Sequence, residues 1–436
     1  MEFNSWRSGL ASALLLLALC VSGCGRGESA PRPPQAKAET SASVAAPASA
    51  VLTTVEPPSA ASPPSSAPAG PRPIKIGLLA PFSGFFAGVG AQMQGGVQAY
   101  LDQHGRSAAG HPIEVLARDT MGVEPELAKR LASELISKDQ VDFLAGFALT
   151  PTALAVAPLA TEARKPMVIM NAATSSLTTK SPYIVRFGFT LPQVTAPLAT
   201  WAAKNGIESA YMLVSDLAAG LEAAAQFQKS FQAAGGKIVG SARTPLQNPD
   251  FMPFAKSIKE ANPQAVFVFV PTGMQDISLM KAFKESGLLA AGVKVIATGD
   301  VTDDRQLPQI GDTALGIVTT HHYSVAHESP ENDVFKAAFA KVTSGDFRPN
   351  FVAVAAYDGM AAMVRVIETL HGEIDGDRAM EVFKGMRMNS PRGPIYIDPQ
   401  TRDIVQTVYV RKVERRADGP YNIEFDKVLD QSDPGK

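Results

Sequence analysis

Residues 265–286 read AVFVFVPTGMQDISLMKAFKES, and this stretch decides the fold class. Its first six residues are all apolar, whereas a strand with one face in water alternates apolar and polar side chains. A fully apolar strand is typical of a parallel sheet whose two faces are both covered by helices. The residues from Gln275 to Ser286 place apolar side chains at helical spacing, so they predict one of these covering helices. The stretch therefore predicts a β-α unit of an open parallel sheet.

The same alternation continues along the chain from Pro73. Short apolar runs between Ile74 and His321 are separated by amphipathic or alanine-rich stretches. One sheet holding all these strands would be unusually wide. The pattern therefore predicts an α/β fold with two doubly wound parallel-sheet lobes and a ligand cleft beyond the carboxyl ends of the strands. Residues 394–398 and 404–413 further predict a hairpin, and the polar residues 429–436 are expected to fray.

The first 23 residues are predicted to be a signal peptide. After Arg7 the sequence is uncharged up to Cys24, and its apolar core, Leu10 to Val21, has 12 residues. A permanent membrane helix needs about 20 residues, so this core suits a cleaved signal. The sequence VSGC at 21–24 resembles the bacterial lipobox, which implies cleavage before Cys24 and a lipid on that residue. The alternative is an ordinary secretory signal with an incidental cysteine.

Residues 24–72 are predicted to be a lipid-anchored tether. Proline, alanine and serine make up 30 of the 48 residues from 25 to 72. Such a segment lacks the large apolar side chains that offset the entropy of ordering, so it is expected to stay disordered. Proline extends it to a reach of at most about 3.1 Å per residue. The result would be a globular body held near a membrane.

The composition excludes several classes of protein. The chain has 436 residues, a formal net charge of −2 and a pI near 6.3, which argue against nucleic acid as a partner. Its two cysteines are Cys20 and Cys24, so the rest of the chain carries none. A disulfide scaffold, a thiolate zinc site and a cysteine nucleophile are therefore excluded from the body.

The sequence also lacks the common motifs for cofactor binding and catalysis. Residues 84–90, GFFAGVG, follow the first strand, but the next glycine is Gly95, so the G-x-G-x-x-G spacing is absent. No phosphate-binding loop and no G-x-S-x-G nucleophile elbow occur. His321 and His322 are neighbours on a predicted strand, where their side chains should point to opposite faces and not share a metal ion. We therefore expect no enzyme activity, no cofactor and no metal site.

Two polar turns are the candidate binding elements. Thr150 and Pro151 follow a strand and open an alanine-rich helix, which predicts Thr150 as the N-cap and Pro151 as the first helical residue. Free N–H groups at that helix start suit a carboxylate, although plain capping is the alternative. Residues 171–176, NAATSS, form a hydroxyl-rich turn after the next strand. Two such turns on neighbouring strands should converge on one crevice.

A series of motifs runs in order along residues 73–436. They are IKIGLLAPFSGFFAGVGAQMQGGVQAYLD, GFALT, PMVIMNAATSS, YMLVSDLAAG, AVFVFVPTG, VAAYDGM and RGPIYIDPQTRD. Their order and spacing resemble the leucine/isoleucine/valine-binding protein family, the type I periplasmic solute-binding proteins of ABC importers. The resemblance covers essentially the whole body of the chain.

The resemblance implies a fold of two lobes that are joined by three crossings and close on a ligand by hinge motion. The crossings are expected near 189–192, 322–324 and 403–406. Residues 73–190 plus 323–404 would form the N-terminal lobe, and residues 191–322 plus 405–436 would form the C-terminal lobe.

The resemblance also implies the binding residues. Hydroxyl and N–H groups at Thr150 and Thr174 would hold the ligand's carboxylate, and Ala172 would offer its carbonyl to the ligand's ammonium. These three positions agree with the family pattern in kind.

Four other positions depart from the family pattern. Val89, Ala219 and Thr272 stand where the family carries aromatic side chains. The acidic residue that would balance an ammonium falls on Gly299 or, with a slip of one residue, on Asp300, which could equally be a turn or cap residue. Three small side chains enlarge the expected pocket, so the ligand is left open between a branched-chain or other amino acid and an aromatic acid.

The sequence thus predicts a membrane-tethered substrate-binding protein on the periplasmic or extracytoplasmic face. It would capture a small carboxylate-bearing solute and deliver it to the permease subunits of an ABC importer. The alternative is an extracytoplasmic ligand-sensing receptor of the same fold. A lipid anchor without a spanning helix cannot pass a signal inward unaided, which favours import.

Overall fold

The protein folds into two β-sheets with helices packed against them. The structure is a computed structural model and describes residues 70–273 and 275–436. The predicted signal peptide 1–23, the predicted lipid attachment at Cys24 and the tether up to residue 69 lie outside the described residues.

The strands follow the predicted alternation with the helices. They are β1 (Ile74–Ala80), β2 (Ser107–Ala108), β3 (His111–Asp119), β4 (Phe143–Gly146), β5 (Met167–Ile169), β6 (Ile184–Arg186), β7 (Ser209–Ser215), β8 (Lys237–Thr244), β9 (Ala265–Phe269), β10 (Lys294–Thr298), β11 (Val318–His321), β12 (Arg387–Ser390), β13 (Gly393–Ile397), β14 (Ile404–Arg416) and β15 (Gly419–Gln431).

The α-helices are α1 (Ala87–His104), α2 (Pro125–Ser137), α3 (Thr150–Glu162), α4 (Leu191–Lys204), α5 (Ala218–Ala233), α6 (Met252–Ala261), α7 (Gln275–Glu285), α8 (Leu307–Ile310), α9 (Pro330–Val342), α10 (Phe351–Thr369) and α11 (Gly376–Phe383). Two short 3-10 helices cover Ser175–Lys180 and Gly311–Ala314. No helix within the described ranges is long and apolar enough to cross a membrane.

The first sheet has the strand order β2-β3-β1-β4-β5-β6 and is parallel from β3 to β6. Both of its faces are apolar. Ile76 and Leu78 of β1 pack into the same cluster as α1 and α10, whereas Leu79 packs with α2 and α3. We call this sheet, with α1, α2, α3, α9 and α10, the first lobe.

The second sheet has the order β12-β13-β14-β11-β10-β9-β7-β8, and β15 pairs with β14. The strands from β7 to β11 are parallel, and β11 meets β14 in antiparallel fashion. In β9, Phe267 and Phe269 face one apolar cluster while Val266 and Val268 face another. The prediction that helices cover both faces of the AVFVFV strand is therefore confirmed. We call this sheet, with α4, α5, α6 and α7, the second lobe.

The predicted hairpin of 394–398 and 404–413 is confirmed, because β13 pairs antiparallel with β14 from Ile395↔Gln406 to Ile397↔Ile404. Strands β12 and β13 thus join the second sheet, although they lie in the segment 323–404 that was assigned to the N-terminal lobe. The exact lobe boundaries stay a prediction.

The prediction that residues 429–436 fray is wrong. Strand β15 extends to Gln431, and Asp433 beyond it is buried. The Lys436 ammonium is held by Thr178 and Asp403, both far away in the chain. The segment looks unstructured in sequence because its partners are polar groups supplied by the tertiary fold, not apolar side chains of its own.

Candidate functional site

All seven predicted ligand-binding residues follow the carboxyl end of a parallel strand. Val89 comes after β1, Thr150 after β4, and Ala172 and Thr174 after β5 in the first lobe. In the second lobe, Ala219 comes after β7, Thr272 after β9 and Asp300 after β10. The carboxyl ends of parallel strands are where ligands bind in open α/β sheets. The seven residues therefore lie in the loops, or in the first helical turns after them, from which a binding cleft would be built.

The loop that carries Thr150 has an unusual backbone. Gly146, the last residue of β4, has φ +105°, and Phe147 has φ +64°, a left-handed conformation that is uncommon for a large side chain. A Cβ on Gly146 would lie 2.3 Å from the Leu79 carbonyl oxygen. The Phe147 N–H donates to the same Leu79 oxygen at 2.8 Å, and the Phe147 carbonyl accepts from the Ala172 N–H at 2.9 Å. These bonds turn the chain sharply and tie the two polar loops together.

The structure brings Thr150 and Thr174 into direct contact. The Thr174 hydroxyl donates to the Thr150 hydroxyl oxygen over 2.9 Å, and the Thr174 N–H points to the same oxygen at 3.4 Å. Both bonds use Thr150 as an acceptor, so its own hydroxyl proton is left to donate elsewhere. The expected convergence of the two turns is thus confirmed for this pair.

The predicted capping role of Thr150 is wrong. Helix α3 begins at Thr150 itself, the N-cap residue is Leu149, and no side chain caps the helix. Pro151 therefore lies one position further into the helix than predicted. The Thr150 hydroxyl is taken by Thr174 across the turn, and this tertiary partner replaces the local N–H that a capping threonine would contact.

The turn after β5 is held by a buried cation. Arg186 on β6 donates to the Thr174 carbonyl at 2.8 Å and to the Phe189 carbonyl at 3.0 Å. Its guanidinium also pairs with the Asp403 carboxylate at 3.0 Å, and both side chains are buried. Ala172 is likewise buried in this turn. The Arg186 contacts fix the backbone on which Thr174 stands.

Val89 and Thr272 meet at a cavity of about 260 Å³ between the lobes. The first lobe supplies an apolar wall, and the second lobe supplies hydroxyl, carboxylate and guanidinium groups. The residues that line the cavity include Phe85, Phe86, Val89, Thr272, Asp303 and Arg305. Arg305 donates to the Gly88 carbonyl at 3.1 Å, so the two lobes touch beside the cavity.

A buried carboxylate connects the walls of this cavity. Asp303 Oδ2 accepts from the Thr272 hydroxyl at 2.6 Å and from the Asn350 amide at 2.6 Å, while Oδ1 accepts from the Arg305 N–H at 2.7 Å. Burial raises the pKa of Asp303, and these hydrogen bonds oppose the shift. Asn350 stands at the start of α10 in the first lobe, so the carboxylate is shared between lobes.

Asp300 is turned into the second lobe and is not among the residues that line the cavity. Its carboxylate accepts from the Thr298 hydroxyl at 2.8 Å and lies 3.9 Å from His321 Nε2. Burial is the main cause that raises the pKa of Asp300 to about 7. The neighbouring Gly299 has no room for a side chain, because a Cβ there would lie 2.1 Å from Arg411 Nη2.

Ala219 lies in the first turn of α5 and is buried. The next residue, Gly220, approaches β7 so closely that a Cβ would lie 2.0 Å from the Ser215 carbonyl oxygen. The start of α5 is therefore pressed against the end of β7. Ala219 is not among the residues that line the 260 Å³ cavity.

The expectation that His321 and His322 point to opposite faces is wrong. Strand β11 ends at His321, so strand alternation does not extend to the next residue, and the two ring centroids are 4.5 Å apart. Phe189 and Phe351 pack against both rings. Burial lowers the pKa of both imidazoles well below the ordinary value, so both are neutral. They belong to an aromatic core between the lobes.

The structure thus resolves the predicted site into separate parts. It joins Thr150 to Thr174 and places Val89 and Thr272 on one cavity, whereas Asp300 and Ala219 lie elsewhere. Sequence reasoning missed Asp303, Arg305 and Asn350. A usable signal was present for Asp303, because acidic residues in TGDVTDD follow the end of a buried strand, as ligand-facing polar groups do.

Comparisons with known proteins agree with this architecture. A family model described as periplasmic binding protein matches residues 73–420. The Leu/Ile/Val-binding protein homolog 6 of Brucella melitensis is 42% identical over 363 residues, which cover 83% of this chain and 93% of that protein.

Two solved structures are also similar. One is a solute binding protein of an ABC transporter from Rhodopseudomonas palustris BisB5 in complex with 3,4-dihydroxybenzoic acid. It is 48% identical with a TM-score of 0.81, and the match covers 83% of this chain and 99% of that chain. The other, from R. palustris HaA2 in complex with p-hydroxybenzoic acid, is 43% identical with a TM-score of 0.80 and coverages of 83% and 98%.

The matched family model spans most of the chain, and the two sheets with their intervening cleft are the architecture that the resemblance implied. Proteins of this family bind substrates and carry out no catalysis, in agreement with the missing catalytic motifs in the sequence. The chain belongs to the type I periplasmic binding proteins, in the leucine/isoleucine/valine-binding family.

Proposed function

We propose that this protein captures a hydroxylated aromatic carboxylate in the cleft between its lobes and delivers it to an ABC importer. The observation that carries the proposal is the cavity of about 260 Å³, which has an apolar wall on one side and polar groups on the other. A hydroxybenzoate likewise combines an apolar ring, which would pack on the apolar wall, with polar substituents, which would bind the polar groups. The hydroxybenzoate complexes of the two R. palustris proteins, at 48% and 43% identity, support the same ligand class.

Charge favours one orientation of such a ligand. The second lobe buries Asp276, Asp300, Asp303 and Asp304, which outnumber the neighbouring guanidinium groups of Arg305 and Arg411. An anion next to these carboxyl groups would raise their pKa values further and is therefore disfavoured there. The first lobe offers the spare hydroxyl proton of Thr150 at the start of α3, where the helix dipole also favours negative charge. The threonine pair is not among the residues that line the cavity, so the ligand's carboxylate would extend beyond the cavity to this pair while its ring hydroxyl faces the second lobe.

An amino acid fits less well, because its ammonium needs a carboxylate partner. Gly299 has no space for an acidic side chain, and Asp300 is already bonded to Thr298 inside the second lobe. With a pKa near 7, Asp300 is moreover only partly ionised at neutral pH. These features support a ligand without an ammonium group.

The site residues and the membrane attachment belong to the same proposal. Thr150, Thr174 and Ala172 would line the carboxylate end, and Val89 and Thr272 would leave room for the ring. Cys24 would carry the lipid that holds the protein at the membrane beside the permease, with residues 24–72 as the tether. The periplasmic binding protein family places the protein outside the cytoplasm.

Isothermal titration calorimetry with 4-hydroxybenzoate, 3,4-dihydroxybenzoate, 4-hydroxybenzamide and leucine tests the ligand class. We expect both acids to bind, the amide to bind at least about tenfold more weakly, and leucine to give no heat, because a charge-assisted hydrogen bond is stronger than a neutral one. Binding of leucine in preference to both benzoates would overturn the proposal.

A further inference from the structure

Two carboxylates from the second lobe converge on Ser175 of the first lobe. The Ser175 N–H donates to both oxygens of Glu222, at 2.9 and 3.1 Å. The Ser175 hydroxyl donates to Asp433 Oδ2. Ser175 thus donates to two different carboxylates, through its N–H to one and through its hydroxyl to the other.

These contacts cross from lobe to lobe. Ser175 opens the 3-10 helix Ser175–Lys180, which follows β5 of the first sheet. Glu222 lies in α5, which follows β7 of the second sheet, and Asp433 follows β15 at the edge of that sheet. The bonds at Ser175 therefore link the two lobes in this structure. An opening rotation that moved α5 away from the 3-10 helix would break the bond between Glu222 and the Ser175 N–H.

The segment 432–436 is ordered by one bond within itself and by two bonds of its last residue. The Gly435 N–H donates to Asp433 Oδ1 at 2.7 Å and so fixes the carboxylate within a turn. The Lys436 ammonium donates to the Thr178 hydroxyl at 2.7 Å and to the Asp403 carboxylate. Thr178 belongs to the same 3-10 helix as Ser175, so the segment spans that helix from its first turn onward.

Ser175 is also the immediate neighbour of Thr174. Thr174 contacts Thr150 through its side chain, and its carbonyl is held by Arg186. A ligand carboxylate that orders Thr174 would order the Ser175 N–H and hydroxyl at the same time. Ligand binding and the contacts across the cleft are thus coupled through two consecutive residues.

We propose that Glu222 and the segment 432–436 form an interlobe clasp that closes on Ser175 and slows the release of the ligand held by Thr174. The proposal rests on the proposed binding site at Thr174. It makes Ser175, Glu222 and Asp433 positioning residues, since they act through the closed cleft and not by touching the ligand.

The charges around Glu222 predict a pH dependence of the dissociation rate, which a purely structural role of Glu222 would not produce. Burial raises the pKa of Glu222, and Asp433 raises it further, whereas its bond with the Ser175 N–H, Arg186 and Lys436 lower it. Protonation of Glu222 at acid pH weakens its bond with the Ser175 N–H, because a neutral acceptor binds less strongly than a carboxylate. The dissociation rate should therefore rise as the pH falls.

Stopped-flow displacement of bound 4-hydroxybenzoate from the full chain tests the clasp. We expect Glu222→Gln and Asp433→Asn each to raise the dissociation rate about tenfold while the association rate stays within about twofold. Asp430→Asn is the matched control, because this exposed residue of β15 loses the same charge three residues away from Asp433. In Glu222→Gln, the dissociation rate should also rise less at acid pH than it does in the parent. Dissociation rates within twofold of the parent in both clasp variants would overturn the proposal.

A second measurement separates the clasp from the ligand assignment. With Cys20 and Cys24 replaced by serine, cysteines introduced at the exposed Lys129 and Lys256, one in each lobe, can carry a fluorescent pair. If 4-hydroxybenzoate fails to bind the parent, the proposed ligand is wrong. The fraction of molecules with the shorter distance between the two fluorophores still reports on the clasp. A smaller closed population in Glu222→Gln, with Asp430→Asn unchanged, supports the clasp, and equal populations contradict it.

Discussion

Asn350 in the first lobe donates its amide N–H to Asp303 in the second lobe over 2.6 Å. The same side chain caps α10, since Asn350 Oδ1 accepts from the N–H groups of Val352 and Ala353 at 2.9 and 3.2 Å. One residue thus begins a buried helix of the first lobe and binds the carboxylate that Thr272 also holds. The closed cleft and the start of α10 depend on each other through this amide.

Replacement of Asn350 should separate these two roles. Asn350→Ala removes both the cap and the bond with Asp303, and we expect it to lower the free energy of unfolding by about 2 kcal/mol. Asn350→Ser keeps a capping hydroxyl that is too short to reach Asp303, and should recover about 1 kcal/mol of this loss. Urea unfolding of both variants measures the difference. Equal losses in the two variants would show that the cap contributes nothing.

Loss of the Thr150 hydroxyl should weaken ligand binding more than it lowers stability. We expect Thr150→Ala to lower the affinity for 4-hydroxybenzoate about ten- to a hundredfold, because part of the carboxylate is left without a donor. Thr150 does not cap α3, but its hydroxyl accepts from Thr174, so the ligand-free variant should also lose about 1 kcal/mol of stability, measured by thermal unfolding.

Two controls accompany this variant in calorimetry. Thr150→Ser keeps the hydroxyl and should bind almost normally. The preference of the parent for 4-hydroxybenzoate over 4-hydroxybenzamide should shrink in Thr150→Ala. An unchanged preference would mean that the threonine pair does not contact the carboxylate.

Asp300→Asn should change the pH dependence of stability. The pKa of Asp300 is about 7 in the folded protein and near 3.8 without burial. The folded state therefore holds the proton more tightly, so this group's contribution to stability is complete below about pH 4 and lost as the pH rises through 7. The amide avoids this loss. We expect the variant to gain about 2 kcal/mol relative to the parent between pH 5 and pH 8, measured by urea unfolding at both values.

The same variant tests the ligand class. An ammonium-bearing ligand would need the Asp300 carboxylate, whereas a hydroxybenzoate would not. We expect Asp300→Asn to bind 4-hydroxybenzoate within about threefold of the parent, because this ligand has no positive group to be balanced. A loss of a hundredfold would point to a direct contact at Asp300.

Cys24→Ala should abolish membrane attachment if the lipobox assignment is right. We expect the variant to remain a poorly processed precursor that takes up no labelled lipid in growing cells. Deletion of residues 30–70 from the parent should by contrast leave lipid labelling and ligand affinity unchanged, because the predicted tether does not contribute to the binding site. Labelling of Cys24→Ala at the parent level would contradict the assignment.

The alternation of strands and helices could be predicted because it follows from apolar patterning within single elements. Strand β9 shows this best, since its fully apolar sequence is required by helices on both faces. Strand β15 was missed because six consecutive residues near its end, 425–430, are exposed and polar groups interrupt its apolar ones. Its position comes from pairing with β14 and not from its own pattern.

The candidate site was predictable only in part, for a similar reason. Thr150 and Thr174 could be found because strand order alone brings the two turns together. The role of Thr150 as a cap was misjudged because the hydrogen bond from Thr174 comes from 24 residues away. Asn350 and Asp303, like Ser175 and Asp433, meet across the two lobes, and local sequence carries no trace of such contacts.

The crowding around Gly299 has a consequence for how binding specificity can evolve in this protein. Any side chain at this position would collide with Arg411 of β14 and His321 of β11, both of which are buried. An acidic residue at this position would therefore require Arg411 and His321 to shift, because their atoms lie 2.1 and 2.7 Å from the place of the new Cβ. A change of specificity toward ligands with an ammonium group would thus involve the packing of the second lobe as well as the binding residue itself.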